Sequence, residues 1–144
     1  MPLFRESAAM SSTRPDLAPA ASDRPLKMLV VEDHPAMRAA VMALLDMAFP
    51  GCNVLSAHSA EHALPICDTE QPQVVIMDIA LPGMNGIEAV RHITTRHPGI
   101  QVVMHSNSDM PAYREESMAA GARAFVSKGR TSHDLVPVIT SLFA

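Results

Sequence analysis

Cysteine is scarce in this chain of 144 residues, with only Cys52 and Cys67, and they form neither a CxxC pair nor a metal-ligand spacing. The pattern fits two reduced, buried thiols in a cytoplasmic protein. Positive charge is also short: 11 Lys and Arg stand against 15 Asp and Glu, for a formal charge of −4 and a pI near 5.9. A nucleic-acid binder needs a basic face, so no direct contact with DNA or RNA is expected. No apolar stretch approaches the roughly 20 residues of a membrane span. The N-terminal segment has no apolar h-region and is therefore not a secretory signal. Internal repeats are missing as well.

What remains is a composition of 48% hydrophobic and 18% charged residues, enough for one soluble domain with one core. Residues 1–25 differ from the rest. They are rich in Ala, Ser and Pro, cannot bury enough apolar surface to order themselves, and are expected to be a disordered tail. From residue 26 to 144, strand-like apolar runs alternate with helical patterns, which predicts a doubly wound α/β domain with a five-stranded parallel sheet. His34-Pro35 opens the first helix, with Met37, Val41, Leu44, Leu45 and Ala48 on its buried face. Ser59 caps the second, whose buried face is Ala63, Leu64 and Cys67; Pro65 should kink or shorten it. The third runs from about Ile87 to Arg96. Pro111 and Gly121 bracket the fourth, and Ser132 is expected to cap a last helix that ends at Phe143 and is weakened by Pro137.

Acidic residues end two of the apolar runs. Met28-Leu29-Val30-Val31 leads into Glu32-Asp33, and Val74-Val75-Ile76-Met77 leads into Asp78. Such Val- and Ile-rich runs read as buried parallel strands, and ligands of open parallel sheets bind beyond the carboxyl ends of their strands. Three carboxylates gathered there repel one another unless a cation joins them. Oxygen-only ligands favour a hard ion, Mg²⁺ above all. Two further strands end on Ser106 (Gln101 to Ser106) and on Lys128 (Ala124 to Lys128).

An acid pair, a single Asp, a Ser and a Lys, each at a strand end and in this order, resemble the response-regulator receiver domain of two-component signalling. The strings Val30-Val31-Glu32-Asp33-His34, Met77-Asp78-Ile79-Ala80-Leu81-Pro82-Gly83-Met84-Asn85-Gly86 and Ala120-Gly121-Ala122-Arg123-Ala124-Phe125-Val126-Ser127-Lys128 carry it. The resemblance spans about residues 26 to 144 and implies a CheY-like three-layer sandwich with strand order 2-1-3-4-5. In that order strands one and three are neighbours, and Asp33 and Asp78 meet at the switch point.

The resemblance also implies roles. Asp78 would be the phosphoacceptor, with Mg²⁺ held by Asp33, Asp78 and the backbone carbonyl of Ala80, and by Glu32 through water. Lys128 and Ser106 would bind phosphoryl oxygens, and Ser106 with Phe125 would form the switch. The donor would be a histidine kinase or phosphotransfer protein. Output would pass through the fourth helix, fifth strand and fifth helix to a downstream protein or to a second copy, without direct nucleic-acid or membrane binding. The chain would not be an enzyme beyond hydrolysing its own aspartyl phosphate.

Departures from the family pattern are Asn107, where a small residue is usual, and Gly129 after Lys128, where many members have a proline in a cis bond. Ala80 and Ser108 stand where the family tunes phosphate lifetime. The ending Gly129-Arg130-Thr131-Ser132 resembles receivers that often precede LuxR-type DNA-binding domains. No helix-turn-helix follows Phe143, so a stand-alone receiver is expected. The alternatives are the receiver part of a LuxR-type regulator and an interaction module that is not phosphorylated. A haloacid-dehalogenase-like phosphatase would need a second Asp at the position of Ala80 and is disfavoured. His105 reads as a core histidine rather than a ligand.

Overall fold

The computed structural model describes residues 25–108 and 110–143; the expected tail therefore lies outside the described residues, apart from Pro25. The elements follow in strict alternation: β1 (Lys27–Val31), α1 (Pro35–Ala48), β2 (Asn53–Ala57), α2 (Ala60–Glu70), β3 (Val74–Met77), α3 (Gly86–Arg96), β4 (Gln101–Ser106), α4 (Pro111–Ala120), β5 (Ala124–Ser127) and α5 (Thr131–Leu142). A single 3₁₀ turn, Lys128–Arg130, joins β5 to α5. All pairings are parallel and the sheet order is β2-β1-β3-β4-β5, the CheY-like α/β fold.

Strand alternation divides the core in two. Leu29, Val31, Val75, Met77, Val102, Met104 and Phe125 face α2, α3 and α4. Met28, Val30, Val74, Ile76, Val103 and Val126 face α1 and α5. From the second layer Leu45, Leu135 and Ile139 are each fully buried, worth about 1.5–3 kcal/mol apiece. In α1 only Val41 and Leu45 are fully buried, while Met37, Leu44 and Ala48 are half-buried; Leu64 is likewise half-buried on α2.

Caps and prolines explain several boundaries. Pro35 begins α1, Ser59 Oγ accepts from the His62 N–H at 3.1 Å, and Asn85 Oδ1 accepts from the Glu88 N–H at 2.9 Å. Gly121 ends α4 at φ +116°, where a side chain would meet Thr94. Pro65 and Pro137 do not end their helices. Both are exposed, so each ring faces solvent while the opposite face stays packed.

The expected Ser132 cap is corrected. The 3₁₀ turn runs straight into α5, which leaves Ser132 inside the helix and exposed. Ser127 caps the turn instead, its Oγ accepting from the Gly129 N–H at 3.3 Å. The helix stops at Leu142, with Phe143 at its C-cap.

Candidate functional site

Register brings the acids together. Val31 pairs with Met77 across β1 and β3, and the Asp78 N–H donates to the Val31 carbonyl at 3.1 Å. Glu32 and Asp78 therefore leave adjacent strands at the same level. Ser106 pairs with Ser127 across β4 and β5, so Lys128 emerges beside the end of β4. The five residues singled out by sequence converge on the carboxyl edge of the sheet, at the switch between β1 and β3. Beside them a groove of about 460 Å³ opens, with Asp78, Ser106, Asn107, Lys128, Arg91 and Glu116 among the residues that line it.

The Lys128 ammonium sits at the centre. It lies 2.8 Å from Glu32 Oε1 and 3.1 Å from Asp78 Oδ2, with all three side chains nearly inaccessible to solvent. Asp78 Oδ1 accepts the Ala80 N–H at 3.2 Å. Burial works to raise the Glu32 pKa, but the Lys128 ammonium and His34 outweigh it and hold the carboxyl below its ordinary value. Asp78 is pushed the other way, by burial first and then by the neighbouring Glu32 charge, against the pull of Lys128. Burial would lower the Lys128 pKa, yet two carboxylates at contact raise it, so the ammonium is charged. One cation thus serves two buried anions, and the set of three carries a net negative charge before Asp33 is counted.

Asp33 is half-buried, and its Oδ1 is shielded from solvent without accepting a hydrogen bond. One ligand atom from each of Glu32, Asp33, His34 and Asp78 can be chosen so that all lie within 4.8 Å of one another. An under-compensated acidic cluster, with an Asp33 oxygen that accepts no hydrogen bond and has His34 Nδ1 3.4 Å away, fits a divalent cation.

Some supporting residues escaped the sequence reading. His34 donates its N–H to Glu32 Oε2 at 3.2 Å and brings Nδ1 within 3.0 Å of the same oxygen. Arg38 reaches the Glu32 carbonyl at 2.8 Å, and Glu61 accepts the Met84 N–H at 2.9 Å, tying α2 to the loop after β3. The adjacency of His34 to the acid pair was the one available signal; the other two contacts are set by packing. Ser106 is buried and its Oγ accepts the Ser108 N–H at 3.1 Å, leaving its own proton free to donate. Phe125 is turned inward, 8% exposed, with the Arg114 guanidinium 4.7 Å above its ring. Asn107 is exposed at the groove, and Ala80 is exposed beside Asp78.

Buried acids, a hydroxyl and an ammonium gathered at the switch point of a doubly wound sheet make a site suited to a phosphoryl group and its counter-ion. The chain belongs to the response regulator receiver domain family, which it matches over residues 28–140. It is 32% identical over 123 residues to the response regulator UvrY of Escherichia coli, covering 83% of this chain and 55% of that protein. It is equally 32% identical, over 120 residues, to the response regulator GacA of Pseudomonas aeruginosa, covering 83% and 56%. Among solved structures, a LuxR-family two-component response regulator from Aurantimonas superposes with a TM-score of 0.77 at 29% identity, covering 83% of this chain and 86% of that one. The chain spans about half the length of the curated relatives it matches. It is thus a receiver domain of two-component signal transduction, a class that binds Mg²⁺ and interacts with histidine kinases. No helix among the described residues is long and apolar enough to cross a membrane.

Proposed function

We propose that this receiver accepts a phosphoryl group on Asp78 from a phosphohistidine of a sensor kinase or phosphotransfer protein. An Asp78 carboxylate oxygen attacks phosphorus, the P–N bond to the donor imidazole breaks, and an acyl phosphate forms. The observation that carries this reading is the buried Lys128 ammonium, 3.1 Å from Asp78 Oδ2, at a groove that Ser106 also lines. Phosphoryl transfer asks mainly for positioning and charge neutralisation. Lys128 supplies a point charge to a phosphoryl oxygen, and Ser106 donates a hydrogen bond to another. Asp33, Asp78 and the Ala80 carbonyl would hold Mg²⁺ directly, with Glu32 acting through water. When bound, Mg²⁺ would neutralise charge on the incoming phosphoryl group.

Phosphorylation draws Ser106 toward the phosphate, and Phe125 fills the space it leaves, moving the surface of α4, β5 and α5. That surface, with exposed Met110, Tyr113 and Met118 in or beside α4, would deliver the output to a protein partner or to a second copy. The reading serves equally for a receiver acting alone and for one attached to an output domain.

The test is covalent labelling. Acetyl phosphate with Mg²⁺ should add one phosphoryl group, seen by intact mass and lost on treatment with hydroxylamine. Asp78→Asn should take none; a substituted protein labelled as well as the parent would remove Asp78 from this role. A companion measurement concerns the metal. Asp33→Ala relieves repulsion among the acids, so in chelator the variant should melt at or above the parent's temperature. It should also lose the Mg²⁺-dependent rise in melting temperature and the labelling. A full Mg²⁺-dependent rise in Asp33→Ala would exclude Asp33 as a ligand.

A further inference from the structure

The last two residues of β4 point to opposite faces of the sheet. Ser106 lines the groove, whereas His105 is buried, 2% exposed, on the side where α5 packs. There its Nε2 lies 2.7 Å from Thr131 Oγ1, and Thr131 Oγ1 lies 2.9 Å from the backbone carbonyl of Lys128. A carbonyl can only accept, and a threonine hydroxyl has one proton. That proton goes to the Lys128 carbonyl, so His105 must donate from Nε2. The direction of the chain is settled by this count: imidazole N–H to hydroxyl, hydroxyl O–H to carbonyl.

We infer that His105 and Thr131 are positioning residues for Lys128, forming a two-bond clamp that runs from the end of β4 to the turn carrying the ammonium. The turn needs such a clamp. Gly129 is exposed, meets little around it, and sits in an ordinary backbone region without a side chain to stiffen it. The Arg130 backbone position before α5 has no side-chain cap, and beyond its own backbone bonds the turn is capped at Ser127, whose Oγ accepts from the Gly129 N–H at 3.3 Å. Lys128 itself must hold its ammonium against two carboxylates, and a small displacement of its backbone would be felt at both.

The clamp also ties the residue before Ser106 to Lys128, so the hydroxyl and the ammonium are held through one strand end. Burial, and next the Lys128 charge, push the His105 pKa down to about 4, so the imidazole is neutral through the physiological range and the donor arrangement persists. Among charged groups, Lys128 and Glu32 are those felt by this ring.

The role in phosphorylation rests on the Asp78 reading, but the clamp itself can be tested apart from it. In the full chain, long-range ¹H–¹⁵N correlation spectra at pH 7 should show His105 as the neutral Nε2–H tautomer. Thr131→Val, nearly isosteric, should release the Gly129 amide to faster hydrogen exchange and slow labelling by acetyl phosphate about fivefold, the worth of one net hydrogen bond. Thr131→Ser and His105→Gln, which keep a hydroxyl and an N–H donor, should restore both readouts, whereas His105→Leu should not. An Nδ1–H tautomer or a charged ring in the parent would overturn the clamp, whatever the variants do. So would Thr131→Val with parental exchange at Gly129 and parental labelling. If the parent takes no phosphoryl group at all, the Asp78 reading fails, while the tautomer and the Gly129 exchange still decide the clamp.

Discussion

Lys128→Met should destabilise the metal-free domain by about 3–5 kcal/mol, read as a lowered midpoint in urea denaturation at neutral pH with chelator present. The Lys128 side chain is 5% exposed and is the cation shared by Glu32 and Asp78, themselves 2% and 3% exposed. Removing it leaves two carboxylates facing each other in a region that water barely reaches. Methionine preserves most of the aliphatic stem, so the loss reports charge rather than volume. The sign of the remedy is equally definite. Mg²⁺ should return part of the lost stability, and Asp78→Asn added to Lys128→Met should return part of it without metal, because one anion of the pair is gone. Parental stability in Lys128→Met under chelator would mean that the ion pairs at 2.8 and 3.1 Å do not exist in solution.

Gly86→Ala should cost about 3 kcal/mol or more and abolish labelling of Asp78, although residue 86 has no functional group. A Cβ at that position would lie 1.9 Å from the Asp78 carbonyl oxygen, 2.8 Å from its carbonyl carbon and 2.9 Å from the Ile79 Cα. All three atoms are backbone, so no side chain can swing away. The approach is built by the loop after β3 folding back on itself, with the Gly86 N–H donating to the Ile79 carbonyl at 2.9 Å. An added methyl group must push the loop, and with it Asp78, away from Lys128 and Asp33. Gly99→Ala is the control. Nothing lies within 4 Å of a Cβ there, and the change should stay within about 0.5 kcal/mol of the parent. Equal stability of Gly86→Ala and Gly99→Ala would refute the close approach.

The features legible in the chain were those encoded locally. Apolar runs ending in Glu32-Asp33, Asp78, Ser106 and Lys128 announced four of the five parallel strands with their chemistry at one edge, because strand burial and strand-end position are both read over five or six residues. Pro35, Ser59, Pro111 and Gly121 marked helix ends for the same reason: a cap or a fixed φ acts within one turn. Ser132 misled because Ser is an equally good cap wherever a helix might begin, and the 3₁₀ turn ahead of α5 is held partly by Thr131 and His105 rather than by sequence neighbours alone.

Other features belong to the tertiary structure alone. The sharing of Lys128 between Glu32 and Asp78, the anchoring of the β3–α3 loop by Glu61, the cover of Arg114 over Phe125 and the need for glycine at 86 each join elements distant in sequence or folded back by a loop. Residue type makes each contact possible, but only the packed sheet, with β1 between β2 and β3, sets the distances at which carboxylate, ammonium and hydroxyl act on one another.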